Sequence, residues 1–129
     1  MSKTIIITGT SSGIGFALAE YFGKKGHKVY GLSRKNVESP HFKTVPTDIT
    51  DQAQVKNAIV EILNTENRID VLINNAGMGM VGPVEDATQD EILKLFNLNL
   101  VGSVQMMSGV LPKMRDQKSG QIINISSIG

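Results

Sequence analysis

The chain has 129 residues, with 13 Lys and Arg against 12 Asp and Glu, a formal net charge of +1 and no cysteine. This length predicts a single domain over residues 1–129. The balanced charge argues against a basic surface for nucleic acid, and the lack of cysteine excludes a disulfide framework and cysteine-ligated metal sites. The two histidines, His27 and His41, lack the spacing of metal ligands, so no metal site is predicted.

The first apolar run, 5–8, predicts a buried strand, and a glycine-rich turn follows it directly. Helical spacing begins immediately after this turn. A strand, a glycine turn and a helix start in this order suit a phosphate group, because the glycines let the backbone approach a ligand and the helix N-terminus offers unpaired N–H groups. The predicted ligand-binding residues of the turn are Gly9, Thr10, Ser11, Ser12, Gly13, Ile14 and Gly15.

Apolar strands and helical patterns alternate along the rest of the chain. The five predicted strands are 5–8, 28–33, 42–45, 69–74 and 121–126. Gly26 is predicted to follow the end of the first helix, and Asp48 or Thr50 to cap a helix over about 51–64. Thr88 is predicted to begin a further helix, whose apolar face continues through 95–114.

This alternation predicts an α/β fold, a parallel sheet of about five strands with helices on both faces. Ligands of such sheets bind at the carboxyl ends of the strands, near the switch in strand order. Glycine or polar residues follow the predicted strands at 9–15, 33–34, 48, 75–77 and 126–127. One ligand site is therefore predicted along this edge of the sheet.

The N-terminus reaches its first strand within four residues, which leaves no room for a signal peptide and predicts a cytoplasmic protein. The segment 95–112 is uncharged and has the length of a membrane span, but five polar side chains interrupt it: Asn97, Asn99, Ser103, Gln105 and Ser108. We therefore predict a buried or interface helix there, and no membrane partner.

Two motifs in order, Thr8-Gly9-x-x-x-Gly13-Ile14-Gly15 and Asn74-Asn75-Ala76-Gly77, closely resemble those of the short-chain dehydrogenase/reductase family. The resemblance covers all 129 residues and implies a Rossmann-type, doubly wound domain that has its strands in the order 3-2-1-4-5 and binds NAD or NADP. It also implies an enzyme that transfers hydride between the cofactor and a carbonyl or secondary alcohol. Asn74 itself is predicted to be structural, bridging strands within the sheet.

The resemblance assigns roles to residues of this chain. The pyrophosphate is expected on the glycine turn. The adenosine end is expected near Ser33, Arg34, Asp48 and Ile49, and the ribose–nicotinamide side near Asn75, Ala76 and Gly77. In the catalytic set, Ser127 would hydrogen-bond the substrate oxygen, and Asn99 would hold a water of the proton relay.

The choice of cofactor depends on the residues that follow the second strand. A carboxylate there accepts hydrogen bonds from the ribose 2′-OH of NAD, whereas arginine accommodates the 2′-phosphate of NADP. Here the strand ends in Ser33-Arg34-Lys35, with no acid at its tip. The planar guanidinium of Arg34 suits a phosphate, so NADP is favoured over NAD.

The family's catalytic tyrosine, with a lysine four residues later, is expected about a dozen residues after the serine, beyond Gly129. Tyr21 and Lys25 have that spacing but lie on the first helix, so Tyr21 is predicted to pack and Lys25 to be solvated. We therefore expect residues 1–129 to be the N-terminal part of a reductase, truncated before its last strands. We expect this part to be inefficient in turnover by itself.

Two alternatives remain at this stage. The chain could be a non-catalytic module that binds NADP(H), or a subunit that completes its sheet with a partner chain to cover the open apolar edge of strand five. The apolar helix over 95–114 predicts a homo-oligomer, because the resemblance implies pairing through this region.

Overall fold

The computed structural model describes residues 2–75 and 84–125. Its strands are β1 (Thr4–Thr8), β2 (Lys28–Ser33), β3 (Lys43–Pro46), β4 (Val71–Asn74) and β5 (Gln121–Asn124). Its α-helices are α1 (Gly13–Lys24), α2 (Gln52–Glu66), α3 (Gln89–Phe96) and α4 (Gly102–Gln117). A 3₁₀ turn over Val84–Asp86 precedes α3, and a π-helical segment over Asn97–Val101 joins α3 to α4.

The five strands form one sheet in the order β3-β2-β1-β4-β5, and every neighbouring pair is parallel. This confirms the predicted α/β class and strand order. The order reverses at β1, which lies between β2 and β4. Ile6 of β1 pairs in register with Tyr30 on one side and Leu72 on the other.

Alternate residues of the strands enter two cores, one on each face of the sheet. On one face, Ile6 and Leu72 pack with α2 and α4, through residues such as Ile62 and Val110. On the other face, the core contains Ile5, Ile7, Val29, Val71 and Ile73 from the strands, together with Ala19 of α1. β1 has no exposed face, which explains its continuous apolar run.

Asn74 lies at the end of β4, and its Nδ2 donates to Oδ1 of Asn124 at 2.9 Å. The bond joins neighbouring strands and confirms the predicted structural role of Asn74. At the other end of β4, Asp70 accepts the main-chain N–H of Thr4 at 2.8 Å and pairs with Arg68. The hydrogen bond from Arg68 is the main reason that the pKa of Asp70 is lowered.

The predicted cap of α2 was wrong. Asp51 is the N-cap, because its carboxylate accepts from the N–H groups of Ala53 and Gln54. The carboxylate of Asp48 is instead occupied locally, since it accepts from the N–H and the hydroxyl of Thr50. A short polar residue can cap a helix or close such a local turn, and the sequence pattern does not distinguish the two.

Other boundaries differ from the prediction by one to three residues. β3 begins at Lys43 rather than 42, β4 at Val71 rather than 69, and α2 extends to Glu66. Gly26 follows α1 with a φ of +93°, as predicted for a glycine after a helix end.

The segment 95–114 was predicted as one helix but contains the end of α3, the π-helical segment and most of α4. Within α4 the side chains of Met106, Val110 and Met114 are buried against the sheet. Across the part of the chain that the structure describes, no helix has the length and apolar character needed to span a membrane.

Candidate functional site

A cavity of about 490 Å³ lies at the carboxyl ends of the strands, where the order of the sheet reverses. The structure thus places several predicted residues around one space. Its lining residues are Gly9, Ser11, Ser12, Ile14, Leu32, Ser33, Arg34, Lys35, Thr47, Asp48, Ile49, Asn75 and Leu98. The cavity lies where ligands bind in doubly wound sheets.

The glycine turn has a backbone that side chains would obstruct. Gly9 and Gly13 have φ values of +71° and +63°, a region that residues with a Cβ rarely adopt. Gly15 is buried, and a Cβ there would collide with the carbonyl oxygen of Gly9 and approach Nδ2 of Asn75 to 2.5 Å. The turn therefore depends on close backbone packing.

Asn75 braces the turn from the neighbouring strand. Its main-chain N–H donates to the hydroxyl of Thr8 at 2.9 Å, and its Nδ2 donates to the carbonyl of Gly9 at 3.3 Å. These two bonds join the end of β4 to the end of β1. Asn75 was predicted as a cofactor-binding residue. In the structure its side-chain amide is hydrogen-bonded to Gly9.

The N-terminus of α1 opens at the cavity. Ser12 occupies the N-cap position, but its side chain makes no capping hydrogen bond. The N–H groups of the first turn therefore lack the acceptor that a capping serine normally supplies. Ser11, Ser12 and Ile14 are exposed and line the cavity, so this end of the site presents hydroxyls and a positive helix dipole to a ligand.

Thr10 is placed differently from its neighbours in the turn. Its side chain is fully buried, and its Oγ1 has no hydrogen-bond partner among the described residues. It packs in the space above Gly31 of β2, where a Cβ would come within 2.9 Å of the Thr10 Cβ. The structure therefore does not bring the predicted hydroxyl of Thr10 to the cavity.

The opposite end of the cavity carries charge. Arg34 and Lys35 are exposed and follow β2, and the Ser33 hydroxyl donates to the Lys35 carbonyl at 2.7 Å. Asp48 lies across from them. Hydrogen bonds from Thr50 hold the pKa of Asp48 below its usual range, and the charge of Arg34 contributes in the same direction.

Three lining residues had no predicted role in the site: Leu32, Thr47 and Leu98. Thr47 is buried, and its N–H donates to the carbonyl of Ser33 at 2.9 Å. Leu98 reaches the cavity from the π-helical segment, about fifty residues away in sequence from Ile49. Leu98 belongs to a long apolar run whose members look alike in sequence, so no local signal distinguishes it.

The predicted catalytic residues are placed only in part. Asn99 is exposed in the π-helical segment and does not line the cavity. Ser127 lies outside the described residues, and so do the predicted cofactor-binding residues Ala76 and Gly77. Within the described ranges, 2–75 and 84–125, no group of three or more His, Asp or Glu residues could hold a metal ion.

Neither of the two tyrosines, Tyr21 and Tyr30, lines the cavity. Tyr21 was predicted to pack, and its ring meets the Phe22 ring edge-on at 5.3 Å between centroids, but the residue is 55% exposed and does not enter the core. The Lys25 ammonium lies 5.4 Å from the Tyr21 ring centroid. Lys25 is exposed as predicted. Tyr30 is buried in β2 and donates to Glu66 at 2.5 Å. Burial, followed by this hydrogen bond, raises the pKa of Tyr30 well above its usual range.

The parallel sheet, the covering helices and the cavity at the strand ends define a Rossmann-type α/β domain. The family model of short chain dehydrogenases matches residues 3–129. The 3-ketodihydrosphingosine reductase of Bacteroides thetaiotaomicron is 46% identical over 128 residues, which cover 98% of this chain and 48% of that protein.

Two solved structures extend the comparison. ElxO with NADP bound has a TM-score of 0.89 and 32% identity, and the match covers 98% of this chain and 56% of ElxO. The NADH-dependent reductase A1-R′ complexed with NAD has a TM-score of 0.85 and 25% identity, and the match covers 98% of this chain and 60% of that one. The chain belongs to the short-chain dehydrogenase family, and it spans about half the length of the curated relatives it matches.

Proposed function

We propose that this chain binds NADP(H) in the cavity at the strand ends and forms the cofactor-binding part of a carbonyl or secondary-alcohol oxidoreductase. The observation that carries the proposal is the first turn of α1, which lacks a side-chain cap and opens onto the cavity beside Gly9 and Gly13. A pyrophosphate fits this cradle because main-chain N–H groups and the helix dipole both favour an anion there.

The remaining lining residues supply the other parts of the binding site. Asp48 and Ile49, with Leu98 opposite, would enclose the adenosine end, and Asn75 would lie toward the nicotinamide side. When bound, NADP(H) supplies or accepts the hydride. Ser127 would orient the substrate oxygen, and Asn99 would hold a water of the proton relay.

NADP is proposed over NAD because of Arg34. Relatives of similar structure are bound to NADP in one case and to NAD in another, so family membership alone leaves the choice open. No carboxylate occupies the end of β2, whereas Arg34 and Lys35 both line the cavity there. A guanidinium can bind the 2′-phosphate in a bidentate manner, and NADH lacks that phosphate.

Replacing Arg34 by alanine is expected to weaken NADPH binding and leave NADH binding unchanged. The loss should be about tenfold to hundredfold, since a hydrogen bond to a charged group contributes about 1.5–3 kcal/mol. Fluorescence titration of both cofactors measures it. Arg115→Ala serves as the matched control, because Arg115 is exposed on the last turn of α4 and does not line the cavity. Equal binding of NADPH and NADH by the unaltered chain would contradict the proposed preference.

Turnover is proposed to need a tyrosine–lysine pair that residues 1–129 do not supply. Tyr21 lies on α1 and Lys25 is the C-cap of that helix, and neither lines the cavity. The Tyr30 hydroxyl donates to Glu66. We expect residues 1–129 to bind NADPH with little carbonyl reduction, and a longer chain carrying them to reduce a carbonyl panel that includes 3-ketodihydrosphingosine. Ser127→Ala in that chain should lower kcat by about a hundredfold, in the range of general acid–base and oxyanion contributions.

Binding without turnover in every longer chain would instead favour a non-catalytic NADP(H)-binding module. Full activity of the Ser127→Ala variant would remove the proposed role of that serine. Either result leaves the cofactor titration as an independent measurement of the binding site.

Self-association is proposed through α3, the π-helical segment and the start of α4. These elements expose a contiguous set of large apolar side chains, namely Ile92, Leu93, Phe96, Leu100, Val101 and Val104. Exposed apolar patches of this kind favour protein–protein contact. Sedimentation equilibrium should give a dimer or a larger oligomer, and a monomer at high concentration would contradict this proposal and the shared-sheet alternative.

A further inference from the structure

Two glutamines from different helices hold the main chain of Asp48 and Ile49. Oε1 of Gln54, in α2, accepts the N–H of Asp48 at 2.9 Å. Nε2 of Gln105, in α4, donates to the carbonyl of Ile49 at 2.6 Å. The two bonds act on adjacent residues from two different helices, one through an acceptor and one through a donor.

The position of this segment explains why side chains must hold it. Asp48 and Ile49 lie between the end of β3 and the start of α2, so neither ladder nor helix satisfies all of their backbone groups. The carbonyl of Ile49 is partly buried, and without Gln105 it would lose its hydrogen bond in a poorly hydrated place. Gln54 is itself oriented by Asp51, to which its Nε2 donates at 3.2 Å.

α4 also contacts the side chain of Ile49, one turn before Gln105. At Gly102 a Cβ would approach Cδ1 of Ile49 to 2.6 Å and Cγ1 to 2.8 Å, so helix and segment pack closely at this point. Leu98 lines the cavity from the π-helical segment that leads into the same helix. Ile49 and Leu98 both line the cavity, and the contacts of Ile49 with Gly102 and Gln105 fix where Ile49 lies relative to the helix that follows Leu98.

We propose that Gln54 and Gln105 are positioning residues that fix the adenosine-side wall of the cavity, so that affinity for the adenosine half of the cofactor depends on them. Neither glutamine lines the cavity, and each acts through the main chain of a residue that does. The inference rests on the proposed dinucleotide site and adds specificity-controlling residues to it.

The test compares the two halves of the cofactor. Adenosine 2′,5′-bisphosphate probes the wall held by the glutamines, and nicotinamide mononucleotide probes the other end of the cavity. In the full chain, Gln105→Leu should weaken the binding of adenosine 2′,5′-bisphosphate about tenfold and leave that of nicotinamide mononucleotide unchanged, as expected for one lost hydrogen bond to a partly buried carbonyl. Gln54→Leu, on the exposed first turn of α2, should produce the same selective loss by a second route.

Gln117 provides a matched control on the same helix. Its side chain also holds the main chain of an isoleucine: Oε1 accepts the N–H of Ile69 at 2.9 Å, and Nε2 donates to the carbonyl of Ile69 at 2.8 Å. Ile69 lies before β4, at the opposite end of the sheet from the cavity. Gln117→Leu should therefore lower stability toward urea without changing the affinity for either half.

The outcomes separate the inference from the proposed function. Unchanged adenosine affinity in both Gln54→Leu and Gln105→Leu, or an equal loss in Gln117→Leu, overturns the positioning role while the dinucleotide site stands. Equal weakening of both halves also overturns it, because that result indicates general disruption. Failure of the unaltered chain to bind NADPH overturns the proposed function and this inference together.

Discussion

Gly15→Ala should remove measurable NADP(H) binding, with a loss of affinity of about a hundredfold or more. The added Cβ would overlap the carbonyl oxygen of Gly9 and come within 2.8 Å of the Gly9 carbonyl carbon. It would also lie only 2.5 Å from Nδ2 of Asn75, which would have to move. Two of these atoms are backbone and cannot rotate away, so the turn itself must move. Overpacking of this kind costs about 1–3 kcal/mol in the free energy of unfolding. Titration with NADPH and urea unfolding measure the two effects.

Gly26→Ala separates loss of stability from loss of the site. Gly26 also has a positive φ, +93°, but a Cβ there would meet nothing within 4 Å, and the residue lies past the far end of α1. We expect a cost of about 1–2 kcal/mol from the left-handed backbone and unchanged affinity. A decrease in affinity as large as that of Gly15→Ala would show that binding simply follows stability.

Gly31→Ala should weaken cofactor binding from inside the sheet. A Cβ on this β2 residue would overlap Oγ1 of Thr10 and lie 2.9 Å from its Cβ and 3.0 Å from its Cγ2. Because both residues are buried, Thr10 must shift, and the rest of the glycine turn moves with it. We expect about tenfold weaker NADPH binding and a stability loss of about 1–3 kcal/mol.

The Thr10→Gly/Gly31→Ala double variant should recover most of that loss. Thr10→Gly removes all three atoms that the new methyl group would meet, including a buried hydroxyl that has no partner among the described residues. A double-mutant cycle should then give a coupling free energy of about 0.5–3 kcal/mol. Additive effects of the two substitutions on affinity and stability would contradict the proposed contact.

Local sequence pattern was sufficient wherever one strong preference decided the structure. The continuous apolar run of β1 requires burial on both faces, which only a central strand between two helical layers provides. The glycines at 9 and 13 predicted a tight turn, and both have the positive φ that glycine tolerates best. Thr88 was likewise predicted to begin a helix, and its side chain caps α3.

Local pattern failed where several residues could satisfy the same rule. Asp48, Thr50 and Asp51 are all capable N-caps, but Asp51 caps the helix while Asp48 and Thr50 are hydrogen-bonded to each other. The hydroxyl residues of the turn look equivalent in sequence, but only Thr10 is buried, because Gly31 has no side chain and leaves the space that Thr10 fills. Only the second choice depended on packing against another strand, since Gly31 belongs to β2.

The order of residues along the chain predicted the parallel sheet and the edge at which glycine and polar residues collect, because hydrophobic periodicity and the alternation of strands with helices can be read from the sequence. The strand order followed from the resemblance to the family. Tertiary structure decided the contacts that join distant parts of the chain around the cavity. It brought Leu98 beside Ile49, placed Gln54 and Gln105 on adjacent main-chain groups, and tied Asn75 to Gly9. Most of these pairs are far apart in sequence and come into contact only when the strands pair and the helices pack on the sheet. The free energy of each contact depends on how deeply it is buried, and burial cannot be read from a short stretch of sequence.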